Sequence, residues 1–213
     1  MFQVKAFVFS PIQENTYLLY NEHGSAILID PGCYYQDERE TLADFISENR
    51  LKPVFLLNTH CHLDHVFGNR WVHESYGLSL HLHPKERPVL EMAPASGLMW
   101  NLPFDQYTGP LLDLEPGTSI DLGEDQLEIL FAPGHSPGHI CFYCRRQGFL
   151  IGGDVLFRES IGRTDLPGGN HAQLISSIQT QLMPLPEETI VYSGHGIQTT
   201  IGHERRYNPF LQD

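Results

Sequence analysis

Four times along this chain an apolar run of strand length ends in a turn that presents a histidine or an aspartate. Residues 54–57 lead into Thr59-His60-Cys61-His62-Leu63-Asp64-His65, and 127–131 into Pro133-Gly134-His135-Ser136-Pro137-Gly138-His139. Residues 148–152 lead into Gly153-Asp154, and 190–192 into Ser193-Gly194-His195-Gly196. Glycine-flanked turns at strand ends let backbone approach a bound group closely, and such turns carry many binding side chains. One histidine or aspartate in a turn is ordinarily a hydrogen-bonded turn residue. Four such turns in one chain point to a β-rich fold whose strand ends serve a common purpose.

The intervening pattern sets the fold class. Short β-type runs at 3–10, 15–20 and 25–30 precede a helix over 37–49, where Leu42, Phe45 and Ile46 recur at helical spacing. A buried strand at 53–59, a helix at 67–76 and a strand at 79–83 follow. Residues 91–110 carry Pro94, Gly97, Pro103, Gly109 and Pro110 and read as a long irregular lobe. The second half repeats the plan, with strands at 127–131, 139–144, 148–152 and 189–192 and helices at 172–183 and 198–207. Strands with helices in each half predict an α/β fold of two sheets packed together, helices on the outer faces. The length of 213 residues, without linker or low-complexity tract, fits a single domain over 1–213.

Composition excludes several functions. Thirteen Lys+Arg against 26 Asp+Glu give a formal charge of −13, the wrong sign for a phosphate backbone, so no nucleic-acid partner is expected. No apolar run approaches the roughly 18–20 residues of a membrane span, and the start lacks a basic leader, so the cytoplasm is the expected location. Four irregularly spaced cysteines do not make a secreted disulfide framework. Twelve histidines are the unusual feature of so acidic a chain.

Extended residues two apart project to the same side, so His60, His62 and Asp64 can converge on one pocket. A turn into helix there swings His65 to a neighbouring position. Two imidazoles for one cation, with a carboxylate and an imidazole for a second, suit a borderline metal such as zinc. Other residues take plainer readings. Cys141 and Cys144 form a CxxC on opposite faces of a strand and are expected to pack, as is Cys61, which alternates away from His60 and His62. His81 and His83 read as rim residues, and His139, His171 and His203 as turn or cap residues.

The run His60-Cys61-His62-Leu63-Asp64-His65, with distal His135, Asp154 and His195, resembles the ligand set of the metallo-β-lactamase superfamily. The resemblance spans almost the whole chain, from Leu28-Ile29-Asp30-Pro31-Gly32 to Asn208-Pro209-Phe210. It implies an αββα sandwich with a binuclear site. His60, His62 and His135 would hold one metal, Asp64, His65 and His195 the other, and Asp154 would bridge. Asp30 resembles the family's supporting aspartate. Zinc is the expected metal, with iron or manganese as alternatives. The runs around His135 and Asp154 most resemble glyoxalase II, the hydroxyacylglutathione hydrolases, in a short form without the separate C-terminal glutathione-binding helical domain. Arg163 matches the basic residue of that family's substrate loop.

The resemblance implies hydrolysis of a thioester such as S-lactoylglutathione by a metal-bridging hydroxide, with Asp64 managing the proton. A thiolate leaves readily because thiols ionise near about pH 8.5. Two alternatives stand beside it. One is a persulfide dioxygenase holding a single iron through His60, His135 and Asp154. The other is a metal-binding scaffold without turnover, although a structural zinc needs only four ligands.

Overall fold

The computed structural model describes residues 1–212. They form two compact units, one over Met1–Leu114 and one beginning at Glu115.

The first unit is a six-stranded mixed sheet in sequential order: β1 (Gln3–Phe9), β2 (Glu14–Tyr20), β3 (Ser25–Ile29), β4 (Lys52–Leu57), β5 (Leu80–Leu82) and β6 (Leu111–Asp113). β1 to β3 pair antiparallel through short turns, and β3 to β6 pair parallel. The β2–β3 turn closes at Gly24, φ 79°, while Asn21 Oδ1 accepts from the amides of His23 and Ser25. Parallel neighbours need crossovers, and helices supply them. α1 (Gln36–Glu48) links β3 to β4, α2 (Leu63–Val66) and α3 (Asn69–Tyr76) link β4 to β5, and α4 (Arg87–Met99) links β5 to β6. α1 is anchored at its start by Glu38, whose carboxylate accepts from the amides of Ser10, Tyr34 and Tyr35. Its buried Leu42 and Ile46 join Leu18, Leu28, Leu56 and Leu80 in the core of this unit.

The irregular lobe expected at 91–110 is in its first half a helix. In α4, Val89, Leu90, Ala93 and Gly97 are buried, a stripe at helical spacing that outweighs the proline at 94. Gly97 is required by its neighbours, since a Cβ there would lie 2.6 Å from the Leu102 carbonyl and 3.0 Å from the Phe104 ring.

The second unit is also a six-stranded mixed sheet. Its strands are β7 (Ser119–Leu122), β8 (Asp125–Phe131), β9 (Ile140–Cys144), β10 (Phe149–Gly153), β13 (Ile190–Ser193) and β14 (Thr199–Thr200), ordered β14-β13-β10-β9-β8-β7. β11 (Leu156–Phe157) and β12 (Ser160–Ile161) form a separate hairpin. β9 and β10 are buried at every residue. The parallel β10–β13 pair is bridged by α5 (His171–Ser177), which continues through a π-helical turn over Ile178–Leu182. α6 (Ile201–Tyr207) starts on Thr200, whose hydroxyl accepts from the His203 amide. Cys141, Tyr143, Leu150, Leu174, Ile178 and Val191 anchor this core.

Two mixed sheets with their own helices are the α/β architecture that the sequence predicts. Among the described residues no helix is long and apolar enough to cross a membrane. All four cysteines are buried thiols. Burial pushes the Cys33 thiol up to about 12 and raises Cys61 well above its usual value, so neither is a nucleophile at neutral pH.

Candidate metal centre

In the first unit the chain leaves β4 through Asn58 and Thr59, both buried, and turns at His62 into α2. His60 and His65 are fully buried, Asp64 is 7% exposed and His62 half-buried. The His60 ring lies 4.8 Å from that of His62 and 4.1 Å from that of His65. The helical turn at 63–66 thus carries His65 back onto His60, and His65 Nε2 stands 3.7 Å from Asp64 Oδ2.

Asp30, at the end of β3, holds this loop in register. Its backbone is left-handed, φ 49°, tied by its amide to the Leu57 carbonyl. Oδ1 accepts from the Thr59 amide at 2.7 Å and from Asn58 Nδ2 at 3.0 Å. Oδ2 accepts from the Thr59 hydroxyl and, at 3.1 Å, from His65 Nδ1. Because Thr59 gives its only proton to Asp30, the 3.1 Å contact between Thr59 Oγ1 and His60 Nδ1 has the imidazole as donor. Both rings therefore carry their proton on Nδ1 and present Nε2 as a lone pair, the tautomer a metal requires.

Three buried residues that the sequence reading passed over complete the support. Asn58 Nδ2 donates to the His65 carbonyl at 2.8 Å, and Glu86 accepts from the Cys61 amide at 2.8 Å. Glu14 lies fully buried with Oε1 3.8 Å from His65 Nδ1, and its Oε2 accepts from Thr16. Burial drives the Glu14 carboxyl well above its ordinary range, a push that His65 opposes and Asp30 and Asp64 reinforce. Gly32 is obligatory beside them, because a Cβ would stand 2.1 Å from Glu14 Oε2 and 2.6 Å from the Asp64 carbonyl.

In the second unit three strand-end turns bring His135, Asp154 and His195 together. Asp154 Oδ2 lies 3.6 Å from His135 Nε2 and 3.6 Å from His195 Nε2. That is too long for direct hydrogen bonds. It matches two ligands of one cation, since atoms about 2.0–2.2 Å from zinc at a tetrahedral angle stand roughly 3.4 Å apart. The His/Asp donor sets of both units therefore fit a divalent metal. His135 Nδ1 donates to the Arg163 carbonyl at 2.8 Å, which again turns Nε2 outward. The turn before it depends on Gly134, whose φ of 135° disfavours a side chain and where a Cβ would stand 2.3 Å from the Leu174 amide nitrogen.

His139 has a larger role than the turn residue expected. Its ring is fully buried, and Nε2 accepts from the Asp154 amide at 3.1 Å, pinning the aspartate at the end of β10. His139→Ala removes that acceptor. The expected result is about a 10–100-fold loss of metal affinity in chelator competition, partly restored by His139→Gln, whose amide oxygen can accept. Cys61 and Cys141 pack as expected, whereas His83, read as a rim residue, is buried, and His203, read as a turn or cap residue, lies inside α6. His81 Nδ1 faces the carbonyls of Leu56 and Ser79, His83 caps the turn at Lys85, Cys61 and Cys141 are fully buried, and His203 pairs with Glu159 at 2.9 Å. Arg163 is half-exposed and bidentate with Asp165, Nε to Oδ1 and Nη2 to Oδ2 both at 2.7 Å.

The profile of the metallo-β-lactamase superfamily matches residues 10–195, which include every strand-end turn described above. The chain belongs to the metallo-β-lactamase superfamily. It is thereby a member of a superfamily of metal-dependent hydrolases that bind divalent metals, and it carries His/Asp groups of the kind that could hold such an ion. The hydroxyacylglutathione hydrolase GloC of Haemophilus influenzae is 39% identical over 201 residues, covering 93% of each chain. Among solved structures, the BLEG-1 B3 metallo-β-lactamase superposes with a TM-score of 0.89 at 40% identity, covering 99% of this chain and 100% of that one. TTHA1623, solved in a di-iron-bound form, superposes at 0.88 with 40% identity, covering 97% and 100%.

Proposed function

We propose that this chain acts as a single catalytic domain that hydrolyses a hydroxyacyl thioester of glutathione, S-lactoylglutathione or a close relative, with two divalent metals. The observation that carries the reading is the Asp154 carboxylate oxygen equidistant from His135 and His195, in a chain 39% identical to a hydroxyacylglutathione hydrolase. His60, His62 and His135 are assigned to one metal, Asp64, His65 and His195 to the other, and Asp154 to both. Zinc suits this nitrogen- and oxygen-rich set, and iron, present in the TTHA1623 structure, is the alternative. When bound, the metals supply a water acidified to a pKa of about 7 and a Lewis acid for the thioester carbonyl.

The chain's own residues do the rest. Asp30 and Thr59 hold His60 and His65 in the tautomer that exposes Nε2, and the Arg163 carbonyl does so for His135. Asp64 Oδ2 lies beside His65 Nε2 and is placed to take a proton at that oxygen as the acyl carbon changes geometry. No protein acid is needed for the leaving group, because a thiol of pKa about 8.5 departs as thiolate. Arg163, whose own carbonyl orients His135, is the cation assigned to a substrate carboxylate. Buried thiols and a glutathione-linked substrate both suit the reducing cytoplasm.

The test is metal analysis of protein purified without added metal, followed by assays on S-lactoylglutathione, nitrocefin and glutathione persulfide. Two metals per chain and thioester turnover well above the other two are expected. Turnover of nitrocefin alone would assign a β-lactamase. One iron with oxygen consumption on the persulfide would assign a dioxygenase.

A further inference from the structure

We propose that Asp165 is a built-in competitor for the substrate's carboxylate: it occupies the Arg163 guanidinium in the free protein and sets how strongly the site selects anionic thioesters. The inference rests on the thioesterase reading and concerns its specificity. Both ends of the Arg163–Asp165 pair are presented outward, Arg163 50% and Asp165 68% exposed at the side chain. The two parallel contacts of 2.7 Å are the fork geometry with which arginine recognises any carboxylate. The pair stands beside the metal ligands, because the carbonyl of the same Arg163 accepts from His135 Nδ1.

An arginine bound to a neighbouring aspartate commonly serves to hold its loop. Here the loop is held without it. Gly162 donates its amide to the Val155 carbonyl at 3.2 Å and packs so closely on Asp154 that no side chain fits. At the far end Gly168 lies against the Pro137 ring, Gly169 bonds to the Leu166 carbonyl, and the Asn170 amide bonds to the Gly134 carbonyl at 2.7 Å. With its backbone secured on both sides, the loop gains little from a solvent-exposed ion pair, whose usual worth is about 0–1 kcal/mol. A pair that weak is displaceable. The Asp165 carboxyl, lowered to about 2 chiefly by the Arg163 hydrogen bond, remains an anion throughout the working pH range and so always competes.

The experiment compares metal-loaded wild type with Asp165→Asn and with Arg163→Ala/Asp165→Asn. Substrates are S-acetylglutathione, with carboxylates on the thiol side, S-succinyl-N-acetylcysteamine, with one on the acyl side, and neutral S-acetyl-N-acetylcysteamine. For Asp165→Asn, the KM of an anionic ester relative to the neutral one should fall by about 2–5-fold, and the double variant should lose that gain. A gain confined to the glutathione ester places the captured carboxylate on the thiol carrier; a gain with the succinyl ester places it on the acyl group. Glu128→Gln removes a different paired carboxylate and should not shift the ratio, which separates competition from a general change of charge. An unchanged ratio in Asp165→Asn, or a lower melting temperature with equal losses on all three esters, would overturn the proposal. Calorimetric binding of S-methylglutathione, whose blocked sulfur cannot ligate as a thiolate, reads the same competition without turnover. A wild type that hydrolyses none of the esters would sink the thioesterase reading, while the calorimetry would still judge Asp165.

Discussion

Asp154→Ala is expected to leave a folded protein that holds neither metal tightly and has lost at least about 10³-fold in thioester turnover. The size of the effect follows from position. One oxygen of Asp154 faces two imidazoles at 3.6 Å, so truncation removes a ligand and a negative charge from the point where both donors aim. Asp154 is only 8% exposed, and no neighbouring carboxylate of its turn can substitute. Metal content by elemental analysis and far-ultraviolet circular dichroism together check the result. Two metals retained with near-normal turnover would show that the ligand assignment is wrong.

Gly162→Ala should be strongly destabilising. The new Cβ would sit 2.0 Å from the Asp154 carbonyl oxygen and 3.2 Å from His135 Cβ. Backbone, unlike the tip of a flexible side chain, cannot step aside cheaply. Overpacking of this kind costs about 3 kcal/mol. That corresponds to a fall of roughly 6–12 °C in melting temperature for a chain of this size. Weakened metal binding should accompany it, because the backbone that must move carries one of the proposed ligands and abuts another. Gly152→Ala is the control: the nearest atom to its Cβ would be Val191 Cγ1 at 3.3 Å, with no backbone closer than 3.7 Å, and a milder shift is expected. Comparable melting temperatures for the two variants would refute the steric account.

Much of this was legible in the sequence, for a physical reason. Strands with period-2 or continuous apolar patterns announce themselves, and histidines gathered in glycine-rich turns at strand ends stand apart chemically from surface residues. α4 was obscured because Pro94 and Gly97 are local breakers, whereas the burial of Val89, Leu90 and Ala93 is a tertiary fact. The short strands β6, β7, β11, β12 and β14 have between two and four residues each, too few for any periodicity to show. Glu14, Asn58, Glu86 and His139 escaped notice because their importance lies in what they touch across the fold: the His65 ring, the His65 carbonyl, the Cys61 amide and the Asp154 amide. A ligand is recognisable by its own chemistry. A residue that aims a ligand is recognisable only once the fold has brought the two together.

The shared dependence of His60 and His65 on Asp30 bears on how the protein acquires its metals. One carboxylate oxygen sets the orientation of both rings, His65 directly and His60 through the Thr59 hydroxyl. In the proposed assignment those rings belong to different cations. On that assignment, capture of the first ion would stiffen the Asp30–Thr59 relay and so shape the socket for the second before it arrives. Loading would then be a cooperative event rather than two independent ones, with half-filled protein the scarce species in a titration at limiting metal.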